Sequence, residues 1–272
     1  MPATPENPDI AHLRKKESIA LQSLRCIGAL ILREMGTRYG RQPGGYAWAL
    51  VQPLGMVIML GVGFSLLARS PVLGTSFMLF MGTGFLILQL FLTTSTSVGQ
   101  SMAYSKTLLM FPRVTWLDAL VARYLLNTLV TIVVMLIILA GIILFEDIRT
   151  VLDWPRIMLA VALTAFLGLG VGCLNCFLFM RLPVWQNVWA IMTAPLMLIS
   201  GVIFLYDDMP AMAQNILWFN PMIHVTGIMR DGFYPIYKPT HISVIYVLTC
   251  SFIPMVLGLL LMRQFHRDLL YR

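Results

Sequence analysis

Apolar and polar positions divide this chain into a polar or amphipathic start, residues 1–47, and six long apolar stretches. These are Trp48–Ala68, Phe77–Val98, Val121–Phe145, Ile157–Phe179, Val188–Leu205 and Ser243–Met262. An α-helix rises about 1.5 Å per residue, so ~20 apolar residues cover a hydrocarbon core of ~30 Å. Backbone amides in lipid must be bonded within the segment, which makes such stretches helices. The pattern predicts an all-α integral membrane protein. It has a cytoplasmic N-terminal segment, 1–47, and one domain of six transmembrane helices, 48–272.

Two other periodic segments refine this picture. In Ser18–Thr37, Leu24, Ile27, Ile31 and Met35 share one helical face while Gln22, Arg25 and Arg33 take the other. Charge interrupts the stretch, so it suits an interface helix on the bilayer surface better than a seventh, marginal span. In the second apolar stretch, Gln89, Thr93, Thr96 and Gln100 are spaced four, three and four, on one face. A polar stripe facing lipid is costly, so it should face a hydrated path or another helix. Hydroxyls also bond carbonyls of their own helix, which leaves structural packing open as the alternative.

The connections carry three further signals. Ser101–Leu117, with Lys106, Pro112 and Arg113, is too short for a domain and suits a short helix lying along the membrane. Gly168-x-x-x-Gly172 in the fourth stretch allows close helix packing; no strand precedes it, so it is no nucleotide loop. Tyr206–His241 contains two apolar-aromatic pieces, Met209–Phe219 and Ile223–Tyr234, split at Asn220-Pro221. Both are too short to cross. They read as two short re-entrant helices, with an interfacial loop as the alternative, and Trp218, Phe219, Phe233, Tyr234 and Tyr237 at the outer interface.

Charge fixes the expected orientation. The chain is 58% hydrophobic and 11% charged, against about a quarter charged in soluble domains. With both termini inside, only Arg69, Arg149, Arg156, Arg230 and Lys238 of the 19 Lys and Arg residues lie outside. The net charge of +7 is therefore a topology signal and needs no nucleic-acid partner. No cleavable leader is expected ahead of the first span. The four cysteines make no disulfide framework, and Cys173-x-x-Cys176 has no second pair or His nearby in sequence to suggest a metal.

The missing chemistry is equally informative. No carboxylate falls deep in a predicted span, which argues against ion-coupled carriers and intramembrane proteases. His224, Arg230 and Asp231 cluster outside, either as a small hydrolytic site or as structural groups. No Gly-x-x-x-x-Gly-Lys-[Ser/Thr] loop occurs, so the chain does not bind ATP by that device. A transporter so built is passive or borrows energy from a partner.

At this point the residues resemble a known family. The interface helix, Arg38-Tyr39-Gly40-Arg41, Gly45-Tyr46-Ala47-Trp48-Ala49-Leu50-Val51-Gln52-Pro53 and six spans resemble the membrane subunit of type-2 ABC exporters for polysaccharides. Trp218-Phe219-Asn220-Pro221-Met222-Ile223-His224-Val225, followed by Arg230-Asp231, is similar to the capsular-polysaccharide permease branch. Exporters of O-antigen, teichoic acid and lipo-oligosaccharide share the plan. The resemblance implies a homodimer in the bacterial inner membrane, bound to two copies of a separate ATPase that holds ATP and Mg. This chain itself would carry no cofactor, metal or catalytic residue. In capsule systems a periplasmic adaptor and an outer-membrane exporter would continue the route.

The resemblance also implies residue roles. Lys106, Thr107, Phe111, Pro112 and Arg113 would couple to the ATPase, and Arg38, Tyr39 and Arg41 would meet the lipid headgroup at the entrance. Trp218, Phe219, Asn220, His224, Arg230, Asp231, Phe233, Tyr234 and Tyr237 would form a periplasmic gate. The substrate path would run along Tyr46, Trp48, Gln89, Thr93, Thr96 and Gln100, whose amides, hydroxyls and aromatic faces suit a sugar polymer. An unenergised pore or scaffold, and a lipid-modifying hydrolase using His224 and Asp231, are the rival classes.

Overall fold

A computed structural model describes residues 19–39, 44–109, 114–148 and 150–270, all helix, turn or loop without strands. The amphipathic segment before the first span forms helix α1 (Ile19–Tyr39), and α2 (Gly45–Leu67) and α3 (Phe77–Gly99) follow. A short α4 (Ser101–Ser105) leads towards α5 (Trp116–Phe145) and α6 (Trp154–Arg181). Then come α7 (Trp185–Thr193), α8 (Leu196–Ile199), α9 (Ala211–Leu217), α10 (Pro221–Phe233) and α11 (Val244–Leu270). Among the described residues, five helices are long and apolar enough to cross a bilayer: α2, α3, α5, α6 and α11.

Local sequence explains where these helices begin. Ser76 accepts from the Leu79 amide at the start of α3. Thr115 and Asp118 close a reciprocal capping box on α5. Asp153 caps α6 and Asn220 caps α10, each followed by a proline in the first turn, where its missing N–H costs nothing.

The fifth apolar stretch departs from expectation. It forms two short helices, α7 and α8, instead of one long helix. Pro195 lacks the amide that would bond one turn back, and its ring crowds that carbonyl. Past α8, Gly201 adopts φ +70 and the chain turns away as irregular backbone.

Packing centres on α6. Gly168 faces Thr94 and Gly172 faces Val98 of α3. Gly170, on the opposite side, lies directly against the Ser251 backbone of α11, and Gly258 of α11 lies against Cys173. The small-residue spacing thus serves helix contact on both faces. Cys173 and Cys176 are free and buried, with the Cys176 thiol 3.4 Å from the Ser101 hydroxyl. Helix α10 adds a third layer, buried from Met222 to Phe233 against α3, α6 and α11.

Candidate substrate path and the site around it

Helix α3 is buried over most of its length except on one side. From Phe85 to Gln100 the half-buried positions are Gln89, Leu92, Thr93, Thr96 and Gln100; every other residue is buried. The predicted stripe is therefore the one accessible face of this stretch. Gln89 and Thr93 line a cavity of ≈ 150 Å³ between α2, α3 and α5, with Gln52, Asn127 and Thr131 as the other polar lining groups. On the other flank, the Trp189 indole N–H of α7 donates to Thr96 Oγ1 at 3.4 Å, with its ring edge-on to Phe91.

Trp48 is exposed one turn before Gln52 on α2 and does not line the cavity. The Tyr46 side chain lies outside the described residues. Sequence reasoning had quoted Gln52 only within the Gly45–Pro53 motif and had not singled out Asn127, Thr131 or Trp189. Asn127 and Thr131, one turn apart on one face of α5, carry the same signal as the stripe; Trp189 carries none.

The region around α10 is organised differently. The end of α8 and the irregular chain after it expose carbonyls, and α10 with its cap Asn220 bonds four of them. Asn220 Nδ2 donates to the Ile199 carbonyl at 2.9 Å and Thr226 Oγ1 to that of Ser200 at 3.0 Å. Arg230 donates through Nη2 to the Val202 carbonyl at 2.8 Å and through Nη1 to that of Phe204 at 2.9 Å. Its guanidinium also lies 3.9 Å from the Phe80 ring centroid.

Asp231 turns away from Arg230 and pairs with Arg156 and Lys238. The fully buried His224 ring bonds the Trp218 carbonyl through Nε2 at 2.9 Å and accepts from the Ser243 amide through Nδ1 at 3.3 Å. His224, Arg230 and Asp231 are thus each held by separate backbone or ionic partners. They do not converge on a shared opening as a hydrolytic site requires.

The other residues of the expected gate divide between core and surface. Phe233, Tyr234 and Tyr237 are buried in the main core, whereas Phe219 is exposed. Trp218 is half-buried and stacks on Tyr246 at 4.9 Å. His241, outside the long helices, lies 4.0 Å from the Tyr206 ring centroid, with Nδ1 3.6 Å from Asp207 Oδ1. Burial pulls its pKa below the ordinary imidazole value, and the Asp207 charge opposes this.

On the opposite side, α1 lies against α5 through a Glu34–Arg123 ion pair at 2.6 Å and a Ser23–Asp118 hydrogen bond. Lys106 is half-buried and Thr107 exposed in the turn after α4. Phe111, Pro112, Arg113 and Arg41, and the side chains of Arg38 and Tyr39, lie outside the described residues.

The match to the family described as ABC-2 type transporter extends over residues 25–234, most of this architecture. The chain belongs to the ABC-2 type transporter family. Among relatives of this ABC-2 transporter is the capsule polysaccharide export inner-membrane protein BexB of Haemophilus influenzae. It is 28% identical over 253 residues, 93% of this chain and 95% of BexB. The capsule polysaccharide export inner-membrane protein CtrC of Neisseria meningitidis serogroup B is 28% identical over 92% of this chain and 94% of its own. The polysialic acid transport protein KpsM of Escherichia coli is 26% identical over 87% and 92%.

Proposed function

We propose that this chain is the permease subunit of an ATP-driven exporter. It moves a lipid-linked capsular polysaccharide from cytoplasm to periplasm. The observation that carries this reading is the accessible face of α3. Gln89, Thr93, Thr96 and Gln100 remain half-buried along a helix whose other positions from 85 to 100, Leu92 excepted, are buried, beside a cavity lined with further amides and hydroxyls. Such groups exchange hydrogen bonds with sugar hydroxyls, and their lack of formal charge lets an anionic polymer slide without sticking.

In this reading residues 185–205 make the fifth of six crossings, broken at Pro195, and both termini are cytoplasmic. Helices α7 and α8 hold 13 helical residues, about 20 Å of rise, and residues 200–205 complete the passage through a core of ~30 Å. A second copy covers the polar face of α3, so the path lies between subunits. ATP and Mg bind to a separate cytoplasmic subunit docked at residues 101–113, and this chain contributes no catalytic group. A periplasmic adaptor and an outer-membrane exporter receive the polymer.

The test places Trp at Thr93 and at Thr96 in turn. Surface capsule is expected to disappear while the subunit still assembles with its ATPase and hydrolyses ATP. Normal capsule in both variants overturns the path. The purified chain alone is expected to show no ATPase activity, which only a co-purified nucleotide-binding subunit supplies.

A further inference from the structure

Arg123 sits near the start of α5, its side chain 9% exposed, and the proposed glycan path makes no use of it. Three elements meet at its guanidinium. Nε donates to Glu34 Oε1 of α1 at 2.6 Å, and Nη1 reaches the Ser97 carbonyl in the last turn of α3 at 3.5 Å. The guanidinium carbon lies 4.2 Å from the Tyr104 ring centroid on α4, over the face of the ring. Gln100 is at once the C-cap of α3 and the N-cap of α4, so these two helices join through one residue, itself part of the polar stripe.

Stability alone is a poor reason for such a group. A buried ion pair is often no better than two apolar side chains of the same volume, because desolvation offsets the attraction. A guanidinium can stack on an aromatic ring while donating in two directions, which a lysine ammonium cannot do. What Arg123 adds is a fixed relation between α1, α4 and the lower end of α3.

We propose that Arg123 is a positioning residue for energy coupling. It holds α1, α4 and the base of α3 as one body. A displacement imposed on residues 101–113 then reaches the polar face of α3 and is not lost as slippage against α5. This rests on the reading that residues 101–113 dock an ATPase, and it names a residue that reading did not contain.

The experiment uses the full complex in proteoliposomes and records ATP hydrolysis and glycan export together. Arg123→Lys and Glu34→Gln are expected to assemble normally and hydrolyse ATP. Glycan exported per ATP should fall about fivefold or more, the range of an ordinary coupling free energy. Glu34→Arg combined with Arg123→Glu restores the pair without the Tyr104 stack and is expected to recover part of the ratio. Export per ATP at the wild-type value in both single variants overturns the proposal. So does an Arg123→Ala variant that fails to assemble beside an Arg123→Lys variant that exports normally, since the role is then structural. Failure of the exporter reading would appear in the wild-type complex itself, as ATP hydrolysis with no glycan moved.

Discussion

Helix α10 and the accessible face of α3 are both polar regions of an apolar protein, and they treat their polar groups in opposite ways. On α10, Asn220, Thr226 and Arg230 bond the carbonyls of residues 199, 200, 202 and 204, and His224 bonds backbone at both ring nitrogens. On α3, Gln89, Thr93 and Gln100 stay half-buried, with Gln52 and Thr131 beside the first two. A buried polar group left without a partner costs about 1–3 kcal/mol, so saturation marks groups that hold the fold. On the proposed reading, polar side chains kept accessible beside a cavity are kept for something that passes. The contrast separates structure from function where polarity alone does not.

Substitutions can break this contrast in graded steps. Arg230→Met should have the largest effect on the fold, since it leaves the Val202 and Phe204 carbonyls unbonded. We expect a loss of about 2–5 kcal/mol, seen as a large drop in the thermal midpoint and yield of the detergent-extracted protein. Asn220→Ala comes next. It removes the α10 cap and the tie to residue 199, and should cost about 1–2 kcal/mol by the same assay. Gln89→Leu and Thr93→Val should change stability by about 0.5 kcal/mol or less, as accessible substitutions do, while lowering capsule export. If the stripe variants unfolded the protein and the α10 variants spared it, the assignment of the two regions would be reversed.

Much of the fold was legible because hydropathy over ~20 residues is a strong signal. Residues 188–205 show where averaging fails. Their apolar character is continuous, but Pro195 removes one backbone donor and Gly201 takes a left-handed turn, so the helix breaks. The stripe was legible because its four residues lie on one helix. Its neighbours Gln52 and Trp189 lie on other helices, and nothing local brings them together. Arg230 and Asp231 read as a cluster because they adjoin in sequence. Successive residues on a helix point about 100° apart, so one clamps the chain after α8 while the other pairs with Arg156 and Lys238.

The glycines of α6 carry a last consequence. Gly168 and Gly172 sit on α3 while Gly170, between them, sits on α11, and a methyl group at any of the three would collide with a neighbour. Three helices locked at that spacing form a stiff slab with no slack for sliding. On the exporter reading, a displacement that reaches α3 would then carry α6 and α11 with it, and the opening for a polymer would form where this slab meets α2 and the broken α7–α8 rod.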